Sequence, residues 1–267
     1  MAALDLIELQ QVLEAHAPLL LAEEWDNVGW IIEAPHPNRV RRLLLTIDLT
    51  TRVAEEAIAG EIDVIVAYHP LIFDPLRRLL QSDPQARTIM RLIRKGLSVY
   101  SPHTALDAAE RGVNDWLADG FGPGKRAPIQ PTPAMSEDAG LGQGRFLELD
   151  QAVSLDTCVD WVKQHLRLSH LRVAASDTGL DVQSVALCAG AGGSVVGSIT
   201  ADLILTGEMR HHDVLSATES GTHVILCDHT NTERGFLTEW QQRLVEDLPS
   251  SIEVLVSATD SDPLTIL

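Results

Sequence analysis

The sequence predicts an α/β protein built from two related α/β lobes. Short apolar runs that are typical of buried strands alternate with helical patterns along most of the 267-residue chain. A stretch dense in Gly and Pro, residues 121–144, has no periodicity and interrupts this alternation, which then resumes. We therefore expect a first lobe over residues 1–120, a linker over 121–144 and a second lobe over 145–267, with largely parallel sheets covered by helices.

The first lobe begins with an amphipathic helix that runs from Leu4 to about Leu21. Three apolar runs then predict strands, and two helical patterns separate them. In chain order these segments are RRLLLTIDL, TTRVAEEAIAG, EIDVIVAYHP, DPQARTIMRLIRKG and LSVYS. The second helix ends in basic residues followed by Gly96, as is usual at a helix C-terminus. This order of strand, helix and strand predicts parallel pairing within the lobe.

The second lobe repeats the alternation. Its first helix, SLDTCVDWVKQHL, has Ser154 as a predicted N-cap. The predicted strands are LRVAAS, VQSVALCAG, ADLILTG, THVILCDH and IEVLVS, and the further predicted helices are EMRHHDVLSATESG and TERGFLTEWQQRLVEDL. The glycine cluster at 190–194 lacks the lysine of a phosphate-binding loop, so we interpret it as a strand-to-helix turn.

Composition and charge argue against several classes of protein. The net charge is −18, so the surface as a whole repels phosphate backbones and direct nucleic-acid binding is not expected. Three cysteines without close spacing argue against a disulfide framework and suit a reducing compartment. The N-terminus lacks the features of a signal or transit peptide, and no apolar run has the length of a membrane span. We expect a cytoplasmic protein that could also enter the nucleus, with no membrane partner.

Histidines follow the predicted strands at the point where each strand ends. His69 follows DVIVAY, His103 follows LSVYS, His211 and His212 follow DLILTGEM, and His229 follows HVILCD. In open α/β sheets, ligands bind beyond the carboxyl ends of the strands. Because parallel strands bring these ends to one edge, we expect histidines that are distant in sequence to meet in space.

Two of these histidines have a carboxylate four residues later, Asp107 after His103 and Glu233 after His229. On a helix the side chains at i and i+4 share one face, so each pair could hold one ion, or both pairs could share a centre of two ions. Imidazoles and carboxylates together suit zinc, manganese, iron or nickel. With His69, the pairs predict divalent metal ions, one or two per chain, which would make bound water acidic enough to act as a hydrolytic nucleophile.

Structural roles compete with this interpretation. A lone histidine at a strand end is more often hydrogen-bonded than metal-bound, and Asp107 and Glu233 could be first-turn carboxylates that favour the helix dipole. Either pair alone favours the structural role, whereas both pairs together with His69 favour metal binding. Asp26 and Asn27 could face the site or hold a turn with their side chains, and the sequence supports both equally.

Six segments occur in one order from Glu23 to the C-terminus. They are EEWDNVGW, AYHPLIFDPLRRL, HTALDAA, LILTGEMRHHDVLSA, DHTNTERGF and VSATDSDPLTIL. Together they resemble the Nif-three-like family, many of whose bacterial members are catalogued as GTP cyclohydrolase type-two homologues. The third and fifth segments are the most specific. The Tyr-His-Pro and Thr-Gly-Glu-Met variants are most similar to the eukaryotic branch.

The resemblance implies two lobes that face each other across a dinuclear metal-binding cleft, often in a homo-hexameric ring. The metal ligands of the family fall on His69, His103, Asp107, His229 and Glu233. Many members begin the first motif with two adjacent histidines. Here Tyr68 takes the first position, so one ligand of the second ion is absent or replaced by a phenol. Eukaryotic and some bacterial relatives carry an extra middle domain, in place of which this chain has only residues 121–144.

Two functions remain open. The first is a metal-dependent, cyclohydrolase-like hydrolase of a small polar or nucleotide-like substrate, favoured by the convergence of acids and imidazoles. Residues that could then transfer protons or orient the substrate are Tyr68, Glu208, His211 and His212. The second is a non-catalytic, ring-forming metal-binding scaffold that binds protein partners. The acidic surface and the eukaryote-like motifs favour it, and the resemblance implies transcriptional regulators as the partners.

Overall fold

The computed structural model describes residues 4–34, 39–132, 140–179 and 181–266. The chain forms two compact units, Met1–Leu106 together with Leu237–Leu267, and Asp107–Phe236. Each unit combines a sheet with helices, so the predicted α/β class is confirmed. The predicted lobes are continuous in sequence and are separated by residues 121–144. The two compact units are divided elsewhere, and the first of them includes the C-terminal segment.

The first unit contains a five-stranded sheet. Its strands are β1 (Gly29–Ile32), β2 (Arg42–Thr46), β3 (Val64–Ala67), β4 (Ser98–Ser101) and β13 (Glu253–Val256). They lie in the order β1-β4-β3-β2-β13; β1 is antiparallel to β4, and the other four strands are parallel. Every residue of β3 and β4 is buried, as expected of strands covered on both faces. The carboxyl ends of β2, β3 and β4 therefore lie at one edge.

Among the described residues, five helices belong wholly or partly to this unit. They are α1 (Leu6–His16), α2 (Thr51–Ala59), α3 (Pro84–Lys95), α4 (His103–Ala108) and α9 (Phe236–Asp247). α2 and α3 pack on the sheet through apolar side chains such as Val53 and Leu92. α1 contacts α9, where the Trp240 indole donates to His16 Nδ1 at 3.2 Å. The sheet and its helices thus enclose one apolar core.

The first helix is shorter than the sequence predicts. α1 ends at His16, and a single 3₁₀ turn, Leu19–Leu21, follows Pro18. Proline lacks the amide hydrogen that the helix needs and disfavours helical geometry in the residue before it. Pro18 therefore separates two elements that share one apolar pattern.

The second unit contains a six-stranded sheet. Its strands are β5 (Gly124–Ala127), β8 (Arg145–Val153), β9 (Arg172–Ala174), β10 (Val182–Cys188), β11 (Leu203–Thr206) and β12 (His223–Leu226). They lie in the order β5-β8-β10-β11-β12-β9. The central strands β10, β11 and β12 are parallel, and β5, β8 and β9 pair antiparallel to their neighbours. The expectation of parallel strands thus holds for the strands that carry the predicted site.

Part of residues 121–144 forms strands rather than an unstructured connection. β5 joins the sheet, and β6 (Gln130–Pro131) pairs with β7 (Gly142–Gln143). A Cβ at Gly124 or Gly142 would clash with the backbone of the paired strand. The glycines therefore permit close strand pairing here, which composition alone does not reveal. Residues 133–139 of this stretch lie outside the described residues.

In the part of the second unit that the structure describes there are four helices. They are α5 (Val113–Ala118), α6 (Leu155–Leu166), α7 (Gly193–Val196) and α8 (His211–Glu219). Ser154 caps α6 as predicted, since its hydroxyl accepts from the Thr157 amide at 3.2 Å. A buried ion pair ties α5 to β8, with 2.7 Å between Arg145 Nε and Asp115 Oδ1. None of the helices in the described part of the chain has the length and apolar character needed to cross a membrane.

Candidate functional site

In the first unit, three parallel strands each lead to a polar residue of the candidate site. Asp48 follows β2, His69 follows β3 and His103 follows β4. Backbone pairing continues past β3, because the His69 amide donates to the Ile47 carbonyl at 3.1 Å. The centroids of the His69 and His103 rings are 5.2 Å apart. The strand ends thus bring two imidazoles together that are separated by 33 residues of intervening sequence.

A carboxylate holds the His69 ring. Nδ1 of His69 lies 2.9 Å from Oδ1 of Asp48. A hydrogen bond at Nδ1 sets the orientation of an imidazole and leaves Nε2 as the nitrogen through which the ring can bind a metal. Asp48 is not among the site residues predicted above, although the strand-end rule that selects His69 applies equally to the end of RRLLLTIDL.

Asp26 holds His103 in the same way, with 2.8 Å between Asp26 Oδ1 and His103 Nδ1. Its other oxygen, Oδ2, accepts from the amide and the hydroxyl of Thr104 at 3.1 and 2.6 Å. Burial alone would raise the pKa of Asp26, but the hydrogen bond and charge of His103 and the bonds from Thr104 outweigh it and hold the pKa below its usual value. Asp26 thus contacts a predicted ligand, and its Oδ1 also accepts from the Asn27 amide at 2.8 Å, so the same side chain holds the turn. Asn27 instead joins two loops, since its side chain donates to the Ile72 carbonyl at 2.6 Å.

His103 is also unusual in its backbone. Its φ of +28° is an unfavourable value for a residue with a Cβ. His103 begins α4, and Asp107 lies four residues later in the same helix, so this pair shares a helix face as predicted. The carboxylate of Asp26 and the turn of α4 together fix the position of the imidazole.

Aromatic rings surround His103. Tyr68 lies edge-on at 5.5 Å between centroids, and Trp25 and Phe73 lie at 6.1 and 6.4 Å. Tyr68 also contacts His69 at 4.9 Å. Tyr68 is buried, whereas Trp25 and Phe73 are largely exposed. The Tyr68 ring is therefore packed against both imidazoles.

In the second unit, His229 lies between two carboxylates. Its Nε2 is 3.4 Å from Oε1 of Glu233, and its Nδ1 is 3.4 Å from Oε2 of Glu208. Glu233 is buried and Glu208 is exposed. His229 and Glu233 offer ligand atoms within 4.8 Å of each other. This unit therefore carries side chains that could hold a metal ion.

The helix predicted to carry Glu233 begins later than expected. A 3₁₀ turn, Thr230–Thr232, joins His229 to Glu233, and α9 begins at Phe236. Gly235, a poor helix former, directly precedes α9. The spacing of four residues thus brings the two side chains together through a 3₁₀ turn rather than through an α-helix.

Two glycines allow the backbone to approach this pair closely. A Cβ on Gly190 would lie 2.6 Å from Glu233 Oε1 and 2.9 Å from His229 Nε2, and Gly190 has a φ of +60°. A Cβ on Gly207 would lie 2.6 Å from the Gly190 carbonyl. Gly190, in the cluster interpreted above only as a turn, therefore lies against His229 and Glu233, and close backbone approach is the physical reason for glycine there.

Asp107 and Glu233 both act on the Cys188 thiol in the second unit. The pKa of the Cys188 thiol is raised, first by burial and then by the negative charges of Asp107 and Glu233. The Asn114 side chain donates to the Asp107 carbonyl at 3.1 Å and accepts from the Ala189 amide at 2.9 Å. The side-chain amide of Asn114 thus connects α4 to the end of β10.

The four candidates for proton transfer occupy different environments. Glu208 is exposed beside His229, and Tyr68 is buried against His69. His211 and His212 are exposed at the start of α8, with 5.3 Å between their ring centroids. Glu208 is the candidate that the second unit places in contact with a predicted ligand.

Known proteins resemble this chain along most of its length. The family model for Duf34/NIF3 (NGG1p interacting factor 3) matches residues 4–263. The protein NIF3 homolog of Schizosaccharomyces pombe is 44% identical over 273 residues, covering 97% of each chain. NGG1-interacting factor 3 of Saccharomyces cerevisiae is 42% identical, covering 91% of this chain and 90% of the yeast protein. Human NIF3-like protein 1 is 35% identical over 351 positions, covering 99% and 93%. Because this chain has 267 residues, the human protein contains segments that it lacks.

Solved structures share the fold. A Bacillus cereus protein related to NIF3 matches with a TM-score of 0.85 at 20% identity, over 100% of both chains. Reduced HcgD from Methanocaldococcus jannaschii matches with a TM-score of 0.81 at 25% identity, over 96% of this chain and 98% of that one. These matches agree with the predicted Nif-three-like fold.

Proposed function

The chain belongs to the Duf34/NIF3 family, and on that premise we propose that it is a metal-dependent hydrolase of a small polar or nucleotide-like substrate. The observation that carries the proposal is that both units place imidazoles and carboxylates at the ends of parallel strands. His229 and Glu233 already offer an imidazole and a carboxylate within the second unit, and we propose that His69 of the first unit adds a second imidazole, a donor chemistry that suits a divalent ion.

The chemistry of the proposed ligands fits such an ion. We propose that the centre comprises His69, His103, Asp107, His229 and Glu233, with ligands from both units. Asp48 and Asp26 hydrogen-bond to Nδ1 of His69 and His103, the arrangement that commonly orients metal-binding imidazoles. Glu233 is buried, and a nearby cation offsets the cost of keeping a carboxylate ionised away from water. We propose one or two ions per chain, with Tyr68 beside the second.

When bound, a divalent ion supplies Lewis acidity and makes water acidic enough to act near neutral pH. The protein must then move protons. Glu208 contacts His229 and is exposed, so it can accept a proton from water or substrate. His211 and His212 are exposed imidazoles, side chains that are able to donate a proton to a leaving group. The phenol of Tyr68, packed against two imidazoles, can orient the substrate.

A panel of hydrolase substrates, assayed with added manganese or zinc, tests the proposal. We expect turnover that falls at least about 100-fold in Glu208→Gln and is lost in Glu233→Gln, because removal of one proton-transfer group typically costs 10²–10⁴ in rate. Glu219→Gln, an exposed glutamate of α8, is the matched control and should retain full activity. Absence of metal-dependent turnover, or turnover that survives Glu233→Gln, contradicts a hydrolytic role.

A second candidate is a homo-oligomeric metal-binding scaffold, such as a hexameric ring, that binds protein partners. The yeast relative's name, NGG1-interacting factor 3, favours this role. Native mass spectrometry would determine the number of subunits. A partner bound equally by the wild type and by a folded Asp107→Ala/Glu233→Ala double variant would favour the scaffold. Metal-dependent turnover without such a partner would favour the hydrolase.

We propose that the protein acts in the cytoplasm. Cys158, Cys188 and Cys227 are free thiols and all are buried. Free cysteines without a disulfide are typical of a reducing compartment. Fractionation of cells that express the tagged protein at its native level tests this location. Cytoplasmic or nuclear recovery agrees with the expectation, and recovery in a secreted fraction or in any other organelle would contradict it.

A further inference from the structure

Two exposed aromatic rings lie beside the proposed metal ligands of the first unit. Trp25 is 61% exposed and Phe73 is 50% exposed. Their ring centroids are 5.9 Å apart, with 54° between the ring planes. Both rings also lie near the His103 ring, at 6.1 and 6.4 Å. One proposed ligand therefore adjoins an aromatic surface, formed by Trp25 and Phe73, that faces solvent.

This exposure needs a physical reason. Among the residues that the structure describes, Trp25 and Phe73 are the exposed aromatic side chains, whereas residues such as Trp240 and Phe236 are fully buried. Large aromatic rings gain free energy when they leave water, so adjacent exposed rings commonly mark a binding surface. The aromatic surface is thus a candidate contact for a ligand with an apolar face.

Hydrogen bonds hold the two loops that carry these rings. Asp26, next to Trp25, is anchored to His103, and the Glu23 amide donates to Thr104 Oγ1 at 3.0 Å. The Asn27 side chain donates to the carbonyl of Ile72, the neighbour of Phe73. The rings are therefore presented by loops that are fixed to the site and to each other. A pre-organised surface loses little conformational entropy when it binds a ligand.

We propose that Trp25 and Phe73 bind the planar heteroaromatic ring of the substrate, such as a nucleobase. Aromatic side chains stack on such rings with little dependence on the base, because every base has a π-face. Trp25 and Phe73 both lie beside the His103 ring, so their ligand should combine an apolar face with a polar or anionic group. A nucleotide has both, and its phosphate suits a divalent ion. The second half of this assignment depends on the metal centre proposed above, whereas the stacking half does not.

Binding of matched probes tests the assignment. We would measure dissociation constants by calorimetry for guanosine 5′-monophosphate, adenosine 5′-monophosphate and ribose 5-phosphate, which differ in the base and share the sugar phosphate. Both nucleotides should bind about tenfold more tightly than ribose 5-phosphate, the factor expected from stacking one base. Equal binding of all three probes would overturn the proposal.

Variants localise the effect. Trp25→Leu and Phe73→Leu keep apolar bulk without the ring and should each remove most of the preference for the nucleotides. Trp25→Phe should keep much of it, and Ile7→Ala, an exposed apolar residue of α1, should keep all of it. If Trp25→Leu and Phe73→Leu both keep the preference, the base binds elsewhere and the proposal is wrong.

Metal content measured on the same preparations separates this inference from the proposed function. Protein that binds no metal but prefers the two nucleotides to ribose 5-phosphate supports the aromatic surface and contradicts the metal-dependent hydrolase. Protein that binds metal without a base preference contradicts the aromatic surface alone. If the leucine variants lose a copurifying protein and no base preference exists, the surface is a protein contact and the inference is overturned.

Discussion

The candidate metal-binding histidines of the two units contact carboxylates in different ways. In the first unit, His69 and His103 each have one carboxylate at Nδ1, at 2.9 and 2.8 Å. In the second unit, His229 has a carboxylate beside each ring nitrogen, both at 3.4 Å. The first arrangement orients imidazoles through hydrogen bonds made within the unit, whereas the second gathers negative charge around one imidazole.

This difference suggests a division of labour in metal binding. In the proposed centre, the first unit would supply oriented imidazoles, and the second would supply the negative charge, from Asp107 and Glu233, that a divalent cation needs. Substitutions that remove charge in the second unit should therefore lower metal affinity more than substitutions that disturb orientation in the first. The following predictions test that ranking.

The largest effect is expected for Glu233→Gln, which keeps the shape of a buried side chain and removes its charge. We expect metal affinity to fall about 100-fold or more, because loss of a direct ligand exceeds the 10–100-fold typical of the groups that orient ligands. Titration with zinc or manganese by calorimetry measures the change. Glu219→Gln should bind metal like the wild type, and equal affinity in both variants would rule out Glu233 as a ligand.

Gly190→Ala should follow. The added methyl group would lie 2.6 Å from Glu233 Oε1 and 2.9 Å from His229 Nε2, so it should displace the pair and weaken metal binding. Gly96→Ala is the matched control, since Gly96 has a φ of +72° and a Cβ there meets no atom within 4 Å. Both variants should lose about 1 kcal/mol of unfolding free energy from the positive φ. Only Gly190→Ala should lose metal affinity, and unchanged affinity would contradict this placement of Gly190.

In the first unit, Asp48→Asn should reduce metal affinity about 10–100-fold through poorer orientation of His69. Asp26→Asn should do the same through His103, and it should also reduce unfolding free energy by about 1–3 kcal/mol because Thr104 loses an ionised acceptor. Asp181→Asn, an exposed aspartate, serves as the control. Calorimetric metal titrations and urea unfolding measure the two quantities. If Asp48→Asn lost as much metal affinity as Glu233→Gln, the proposed ranking would be wrong.

The smallest effect concerns how the stability of the fold depends on pH. We compare one carboxylate from each unit, Glu56 in the first and Asp202 in the second. Burial opposes ionisation of Glu56 and of Asp202, yet hydrogen bonds from Ser257 and Thr259 to the former, and from Ser184 to the latter, hold each pKa below its usual value. A pKa that is lower in the folded state stabilises the fold above the unfolded-state pKa, and that stability is lost as the pH falls through the folded-state pKa.

Glu56→Gln and Asp202→Asn should therefore each destabilise the protein near pH 7 by about 1–2 kcal/mol. The difference in unfolding free energy between each variant and the wild type should shrink as the pH falls below about 4, the ordinary pKa range of these carboxyl groups. Urea unfolding at several pH values measures it. A gap that is constant with pH would mean that ionisation of these carboxylates does not stabilise the fold.

The sequence is enough to predict the position of residues that depends on hydrophobic periodicity and on the order of strands and helices. His69 and His103 could be placed because each ends an apolar run, and the parallel order of β3 and β4 follows from the helix between them. Asp48 obeys the same rule, but a single aspartate after a strand resembles many turn residues. Its role becomes visible only when β2 is found beside β3.

Features that depend on close tertiary approach could not be predicted. Gly190 is indistinguishable in sequence from any turn glycine, and only the folded loop shows that a side chain there would meet Glu233. Likewise, Gly124 permits the pairing of β5 with β8, although the surrounding composition is typical of a linker. The strand β13 joins the first unit because it pairs with β2, which no local pattern indicates.

Metal content tests the central claim most directly. Purified protein would be loaded with excess zinc or manganese, passed through a desalting column and analysed for metal per chain, in parallel with His69→Ala and His229→Ala. The wild type should retain one or two equivalents, and each variant should lose at least one, because the two units are proposed to share the ligands of one centre. Wild-type protein that retains no metal, or variants that retain as much as the wild type, would contradict the claim.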